Sequence, residues 1–156
     1  SGWVRRCKVD GSQHFPRTDP AIIVAVQDRN GRICLGRQES WPEGRYSNFA
    51  GFVEPGESLE AAVIREVEEE SGLKVSEIKY LSSQPWPFPN SIMLAFEAFT
   101  DNPESAKPDG QEIVDLKWFT KRELQEAIKD GSLKLPPRTS VSGKMVEFWL
   151  NGNSNG

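Results

Sequence analysis

The chain has 156 residues, of which 37% are hydrophobic and 27% charged, values typical of one folded domain with a substantial core. Its 19 basic and 23 acidic residues give a net charge of −4, which argues against broad binding along a nucleic-acid backbone. No apolar run approaches the roughly 18 residues needed to span a membrane, so we expect no membrane partner.

The first part of the chain, residues 1–14, has no clear period and contains Cys7 followed by Asp10 and Gly11. This pattern is similar to the second half of a zinc ribbon, C-x2-C-G, with the second cysteine replaced. One cysteine and the lone His14 cannot fill a tetrahedral zinc site, so we expect a remnant of such a segment without zinc. The other cysteine of the chain is Cys34, and two cysteines make no disulfide framework, so we expect a reducing, cytoplasmic compartment.

Two strands and a turn follow. Residues 21–27 (AIIVAVQ) have the composition of a buried strand, residues 28–31 (DRNG) indicate a hairpin turn, and residues 32–36 supply the partner strand. After a polar loop containing Pro42 and Gly44, residues 48–52 form a short strand that leads into the next helix.

A helix is predicted between Ser58, a favourable N-cap, and Gly72, a favourable C-terminal cap. At about 100° per residue, Glu66 and Glu70 fall on the same side as the apolar residues, with Glu69 beside them. A buried carboxylate is costly, and the helix dipole disfavours acids at this end. A Glu-rich helix can be simply a solvated face. The position of these acids on the apolar side instead indicates a bound divalent cation.

The rest of the chain alternates strands and helices. Residues 79–83, 92–99 and 112–119 are predicted strands, and residues 101–110 an acidic surface loop. Thr120 and Glu123 form a capping box that opens a helix ending at Gly131. A stiff connector at 135–137 leads to a last helix over 140–150, and residues 151–156 form a tail expected to be disordered. These elements predict an α+β sandwich with a mixed sheet between helices.

The spacing around the first helix resembles the Nudix box, G-x5-E-x7-R-E-U-x-E-E-x-G-U, where U is a bulky aliphatic residue. All of its specified positions are met, by Gly51, Glu57, Arg65, Glu66, Val67, Glu69, Glu70, Gly72 and Leu73. The resemblance implies an α/β/α sandwich over residues 15–150. It also implies hydrolysis of a nucleoside diphosphate linked to another group, with Mg²⁺ or Mn²⁺ as cofactor.

The resemblance also implies roles for individual residues. Glu66 and Glu70 would bind one cation or two, Glu69 would bind a cation or take the proton of the attacking water, and Arg65 would orient Glu57. The candidate catalytic residues are therefore Glu57, Arg65 and Glu69, and the candidate metal ligands are Glu66, Glu69, Glu70, Glu112 and the backbone carbonyl of Ala50. From the residues alone, Glu112 would more readily be interpreted as an exposed glutamate at a strand edge, and the resemblance reverses that preference.

A second motif narrows the substrate. Residues 83–91 (SQPWPFPNS) resemble the Q-P-W-P-F-P-x-S signature of the NADH diphosphatase branch of this family. Its three prolines are expected to withdraw the backbone from sheet pairing and to present Trp86 and Phe88 on a stiff loop that holds a base. These aromatic residues could instead serve packing or a dimer interface. The substrate contacts implied are Phe15, Phe52, Gln84, Pro85, Trp86, Pro87, Phe88, Pro89, Asn90, Ser91 and Ser142.

The likeness extends over HFPRTDPAIIVAV at 14–26 and PPRTSVSGKM at 136–145, where Ser142 stands at a position that is Ala in relatives. Relatives also carry an upstream domain and a complete zinc ribbon, and neither has a counterpart in the residues matched here. We expect a homodimer that cleaves NAD(H) to AMP and nicotinamide mononucleotide, with removal of NAD caps from RNA as a secondary activity. The alternatives are hydrolysis of ADP-ribose or another linked nucleotide, and a non-catalytic nucleotide sensor.

Overall fold

The computed structural model describes residues 4–152. The strands are β1 (Arg5–Arg6), β2 (Gln13–His14), β3 (Asp19–Asp28), β4 (Ile33–Gln38), β5 (Phe49–Phe52), β6 (Ser76–Trp86), β7 (Ser91–Thr100) and β8 (Ile113–Phe119). The helices are α1 (Leu59–Ser71), α2 (Lys121–Asp130) and α3 (Val141–Asn151), with a short 3-10 turn at Pro103–Ser105. The predicted tail therefore begins inside α3, and its residues 153–156 lie outside the described part of the chain. No helix of residues 4–152 is both long and apolar enough to cross a membrane.

The central sheet is mixed, with the strand order β6-β7-β3-β4-β8. β3 runs parallel to β7, and every other pairing in this sheet is antiparallel. The second edge of β3 is shared: its residues 21–24 pair with β5, whereas Val26 and Gln27 pair with β4. β5 therefore begins where β4 leaves β3, and it delivers the chain to α1 next to the centre of the sheet.

Alternate side chains of β3 enter two hydrophobic layers, as the two-residue period of a strand requires. Ile22, Val24 and Val26 are buried against α1, in a cluster that includes Val63 and Val67. The intervening residues of β3 belong to a second buried cluster on the opposite face, built from α2 and α3. The predicted α/β/α sandwich is confirmed.

The predicted ends of α1 are confirmed by their capping bonds. The Ser58 side chain accepts a hydrogen bond from the N–H of Ala61 at 3.1 Å. Gly72 adopts a left-handed conformation with φ of 68°, and its N–H donates to the Glu68 carbonyl at 2.8 Å. A residue with a Cβ disfavours this conformation, so the glycine ends the helix cleanly.

Two predictions about strands were wrong. The prolines do not withdraw residues 83–91 from the sheet, because β6 continues through Pro85 and Trp86, which pair with Ile92 and Ser91 of β7. A proline is tolerated there because β6 is the edge strand, where one side of the backbone has no partner to satisfy. The second error concerns Glu112, which the sequence predicts as the first residue of a strand but which lies in the turn that precedes β8.

Candidate active site

Helix α1 holds two glutamates inside the protein. Glu66 is 9% exposed and Glu70 is 3% exposed, and both lie on the face of the helix that carries Val63 and Val67. Glu69 is exposed beside them. The prediction that the acids lie on the apolar side of the helix is therefore confirmed for Glu66 and Glu70.

Gly51 of β5 lies directly against one of these carboxylates. A Cβ added at this glycine would lie 2.0 Å from Cδ of Glu66 and 2.1 Å from its Oε1. Such contacts are far inside van der Waals distance, so any larger residue would expel the carboxylate or displace the strand. The first glycine of the box thus provides the space that Glu66 occupies.

Arg65 connects the helix to the loop and strand that precede it. Its Nε and Nη2 donate to the two carboxylate oxygens of Glu57 at 2.7 and 2.8 Å. Nη1 donates to Glu66 at 2.8 Å and to Glu69 at 3.2 Å, and Nη2 also donates to the carbonyl of Phe52 at 3.0 Å. The two bonds from Arg65 hold the pKa of Glu57 below its ordinary value. Glu57 thus has both oxygens occupied by the guanidinium.

Glu70 has no such compensation. Its Oε2 atom is buried and has no hydrogen-bond partner within residues 4–152. Burial, followed by the charges of Glu66, Glu112 and Asp109, raises the pKa of Glu70 from 4.5 to about 8. Burial also raises the pKa of Glu66, although Arg65 opposes that rise. With both carboxylates ionised, the interior end of the site would have more negative charge than the protein neutralises, which is why the Glu70 carboxyl keeps its proton to a higher pH.

These acids line one cleft of about 340 Å³ between α1 and the turn before β8. The residues that line it are Glu66, Glu69, Glu70, Asp109, Gln111 and Glu112. In the described part of the chain, no three acidic, cysteine or histidine side chains are already arranged as a metal cage. One reason is that Glu66 and Glu69 each direct an oxygen to Arg65.

The backbone of β5 contributes a carbonyl at the edge of this site. The N–H of Val53 donates to the Pro20 carbonyl at 3.0 Å, so Val53 and Pro20 form a hydrogen-bonded pair of the ladder between β5 and β3. In an antiparallel ladder, hydrogen-bonded pairs alternate with pairs whose backbone groups point away from each other. By this alternation the carbonyls of Ala50 and Phe52 both point away from β3. The Phe52 carbonyl accepts from Arg65, so the Ala50 carbonyl faces the same edge of the strand.

The predicted aromatic contacts lie on the other face of the sheet. Phe52 is 61% exposed. It is connected to Gln84 by a row of paired residues across the sheet: Phe52 of β5 pairs with Ala21 of β3, Ala21 with Met93 of β7, and Met93 with Gln84 of β6. Side chains of paired residues point to the same face, here the face covered by α3. Three strand spacings separate Phe52 from Gln84, or about 14 Å at about 4.8 Å per strand.

The tip of the β6–β7 hairpin presents a pair of aromatic rings. Trp86 and Phe88 have ring centroids 5.7 Å apart and planes at 74° to each other. Phe88 is 74% exposed and Phe15 is 68% exposed. The three prolines of the motif, Pro85, Pro87 and Pro89, are also exposed, the last two in the turn of the hairpin. The structure thus leaves these aromatic surfaces available for contact.

Other predicted substrate contacts are engaged in the protein's own hydrogen bonds. Ser142 is buried, and its Oγ lies 2.7 Å from Ser47 Oγ and accepts from Asn48 Nδ2 at 3.0 Å. Ser142 nevertheless lines a cavity of about 200 Å³ together with Trp86. Sequence reasoning missed Ser47 and Asn48, whose spacing from Ser142 has no local signal.

The amides of the motif also make internal contacts. Gln84 Nε2 donates to the carbonyl of Thr139 at 3.0 Å, and Asn90 Nδ2 donates to the carbonyl of Arg17 at 3.1 Å. Ser91 is buried in β7. Gln84 and Asn90 therefore tie the hairpin to the segment before α3 and to the segment before β3, and so hold the aromatic tip in place.

A model of the NUDIX domain matches residues 17–138 of the chain. The NAD-capped RNA hydrolase NudC of Mycobacterium bovis is 43% identical over 157 residues, which cover 96% of this chain and 50% of that protein. The NAD-capped RNA hydrolase NUDT12 of Homo sapiens is 40% identical over 145 residues, which cover 90% of this chain and 31% of that protein. The chain therefore spans about half the length, or less, of these curated relatives.

Solved structures support the same fold. The NUDIX domain of Shewanella oneidensis NrtR complexed with ADP ribose superposes with a TM-score of 0.68 at 15% identity, covering 90% of this chain and 91% of that one. A NUDIX family hydrolase from Clostridium perfringens gives 0.66 at 18% identity, covering 87% and 98%. Because the family model covers most of the chain and the fold is shared, this chain belongs to the NUDIX domain family.

Proposed function

We propose that the chain hydrolyses the diphosphate bond of NAD(H), giving AMP and nicotinamide mononucleotide, and that it removes NAD caps from RNA as a secondary activity. The observation that carries this proposal is the acidic cleft beside α1, in which the buried Glu70 has an oxygen without a hydrogen-bond partner in the described part of the chain. Two kinds of similarity support the substrate. They are the Q-P-W-P-F-P-x-S match at residues 84–91 and the names of relatives that are about 40% identical.

The residues of the cleft fit a hard divalent cation such as Mg²⁺ or Mn²⁺. All the candidate donors are oxygens, which these ions prefer. The unpartnered Oε2 of Glu70 and the raised pKa of its carboxyl, about 8, support a site that positive charge would stabilise. The proposed ligands are Glu66, Glu69, Glu70, Glu112 and the Ala50 carbonyl. Bound there, a cation would neutralise diphosphate oxygens and lower the pKa of a bound water.

The other residues of the site have distinct proposed tasks. Arg65 holds Glu66 and Glu69 in position, and Glu57 fixes Arg65 by accepting two of its hydrogen bonds. Glu69 is exposed at the cleft, so it can accept the proton of the attacking water. The oxygen of that water bonds to one phosphorus while the bridging oxygen leaves with the other nucleotide.

The aromatic residues have the task of holding the bases. Trp86, Phe88 and Phe52 lie at the end of the sheet where β5 ends and the chain turns toward α1. The diphosphate would therefore lie near the free edge of β5, with a base directed to the aromatic face. An aromatic ring can stack on the flat face of any base, and rings already held in place lose little conformational entropy when the base binds.

The proposal includes a homodimer in a reducing, cytoplasmic compartment. Within residues 4–152, β6 pairs with β7 only, so its outer edge is open to a second copy. Tyr80 and Trp86 of this strand are 52% and 41% exposed. Cys7 and Cys34 are both free thiols. Light scattering during size-exclusion chromatography tests the dimer, and a monomer at micromolar concentration would contradict it.

Substrate profiling tests the reaction. The protein is incubated with NADH, NAD, ADP-ribose, diadenosine polyphosphate and NAD-capped RNA, with Mg²⁺ or Mn²⁺ and with EDTA as the control, while AMP and nicotinamide mononucleotide are measured together. We expect both products in equal amounts from NADH, and none with EDTA. Strong preference for ADP-ribose would overturn the substrate assignment. Absence of turnover with every substrate would indicate a sensor instead.

A further inference from the structure

One carboxylate organises the turn that brings the chain to the acidic cleft before β8. Oδ1 of Asp109 accepts hydrogen bonds from the backbone N–H of Gln111 at 3.1 Å and of Ile113 at 2.8 Å. Oδ2 accepts from the N–H of Glu112 at 3.3 Å. The N–H of Gly110 also donates to the Ile113 carbonyl at 2.9 Å. Asp109 thus binds the backbone of three successive residues.

The conformation of this turn suits its sequence. Gly110 has φ of +75°, a region that residues with a Cβ disfavour. The turn ends at Ile113, the first residue of β8, which pairs with Gln38 of β4. The backbone of Glu112 is therefore held between the sheet on one side and the Asp109 carboxylate on the other.

Glu112 is the part of the turn that faces the helix. Its side chain is exposed and lines the cleft opposite Glu66 and Glu70. Asp109 lines the same cleft, but both of its oxygens already accept backbone hydrogen bonds. Asp109 is thus suited to hold the turn, whereas the Glu112 carboxyl makes no backbone contact of this kind and lies within hydrogen-bonding reach of the Glu70 carboxyl.

We propose that Asp109 is a positioning residue that holds the turn over residues 109–113, so that the carboxylate of Glu112 faces Glu66 and Glu70 and completes the cation site. The inference rests on the proposed function, because it assigns Asp109 a task within that site. It predicts that Asp109 influences cation affinity mainly through Glu112, in addition to the smaller direct effect of its own charge at the cleft. Residues that support metal ligands in this way typically contribute about 10- to 100-fold in metal affinity.

A double-mutant cycle measures this dependence through the binding of Mn²⁺ to the full chain without substrate. The variants are Asp109→Ala, Glu112→Gln and the double variant, and the affinity is measured by calorimetry. We expect each single variant to bind Mn²⁺ about 10-fold more weakly. The loss in the double variant should be much smaller than the product of the two single losses, because Asp109 then has no ligand to position and only its own charge is removed.

Two controls separate this task from a general structural one. Asp130 accepts a backbone hydrogen bond from Ser132 at 2.8 Å after α2, away from the cleft, so Asp130→Ala removes a similar turn and should leave the Mn²⁺ affinity unchanged. Asp109→Asn keeps one acceptor oxygen and should restore part of the affinity. Melting temperatures in EDTA show whether the variants are folded.

Three results would overturn the inference. They are unchanged Mn²⁺ affinity in Asp109→Ala, unchanged Mn²⁺ affinity in Glu112→Gln, and a loss of affinity in the double variant equal to the product of the two single losses. Failure of the proposed function has a different signature. In that case wild-type protein binds Mn²⁺, and the cycle behaves as expected, but no dinucleotide is cleaved.

Discussion

Replacing Glu70 by glutamine should stabilise the metal-free protein while it removes most of the hydrolysis. The substitution keeps the size of the side chain and abolishes its charge. The introduced amide could not repel Glu66 and Glu112 as the carboxylate does, and a neutral amide is less costly to bury. Loss of a cation ligand would at the same time remove most of the activity. Opposite effects on stability and activity are typical of a strained functional site.

The magnitude follows from the pKa of Glu70, which rises from 4.5 to about 8. Between these two values the folded protein retains a proton that the unfolded chain releases, so the free energy of unfolding falls as the pH rises. The rise corresponds to about 5 kcal/mol as an upper limit, at about 1.4 kcal/mol per pKa unit. Allowing for relaxation and water entry, we expect about 2 kcal/mol, or roughly 4 to 8 °C in melting temperature for a domain of this size.

The assay is thermal unfolding in EDTA between pH 5 and pH 9. The melting temperature of Glu70→Gln should match that of the wild type near pH 5 and exceed it increasingly toward pH 8. Glu68→Gln is the matched control, because Glu68 is exposed on the same helix. Added Mn²⁺ should stabilise the wild type much more than Glu70→Gln. Equal melting temperatures of the wild type and Glu70→Gln at pH 8 in EDTA would refute this reasoning.

Three further substitutions test other contacts of the site. Gly51→Ala places a Cβ 2.0 Å from Cδ of Glu66, so Mn²⁺ affinity measured by calorimetry should fall by about 10-fold or more; unchanged affinity would show that the strand adapts. In Arg65→Lys the side chain cannot form the paired bonds to Glu57, so kcat should fall by about 10- to 100-fold. Steady-state kinetics measure this change, and a retained kcat would contradict the role of Arg65. Trp86→Ala should raise the KM for NADH about 10-fold through lost stacking with Mn²⁺ affinity unchanged, and an unaltered KM would make the loop purely structural.

Local patterns were sufficient to predict the helix that carries the site. The caps at Ser58 and Gly72 and the apolar face of α1 depend only on residues near in sequence, so their prediction was confirmed. The burial of Glu66 and Glu70 followed from helical geometry alone. The tasks proposed for these acids stay predictions, since they depend on a cation and a substrate.

Features that depend on distant partners were not predictable in the same way. Pro85 reads as a strand breaker, and only the position of β6 at the edge of the sheet makes it acceptable. The closeness of Gly51 to Glu66 arises from the packing of β5 on α1. Asp109 and Gly110 form a turn dipeptide, yet the three backbone bonds to the Asp109 carboxylate became visible only in three dimensions.

The four residues of β5 determine which layer of the molecule each neighbouring side chain enters. Gly51 faces the acidic helix, whereas Phe52 faces α3, because successive residues of a strand alternate. Inserting or deleting one residue within Phe49–Phe52 would exchange the two faces, directing the phenylalanine ring at the carboxylates and the glycine at the aromatic surface. The number of residues within this strand must therefore be kept during evolution if both faces are to retain their side chains.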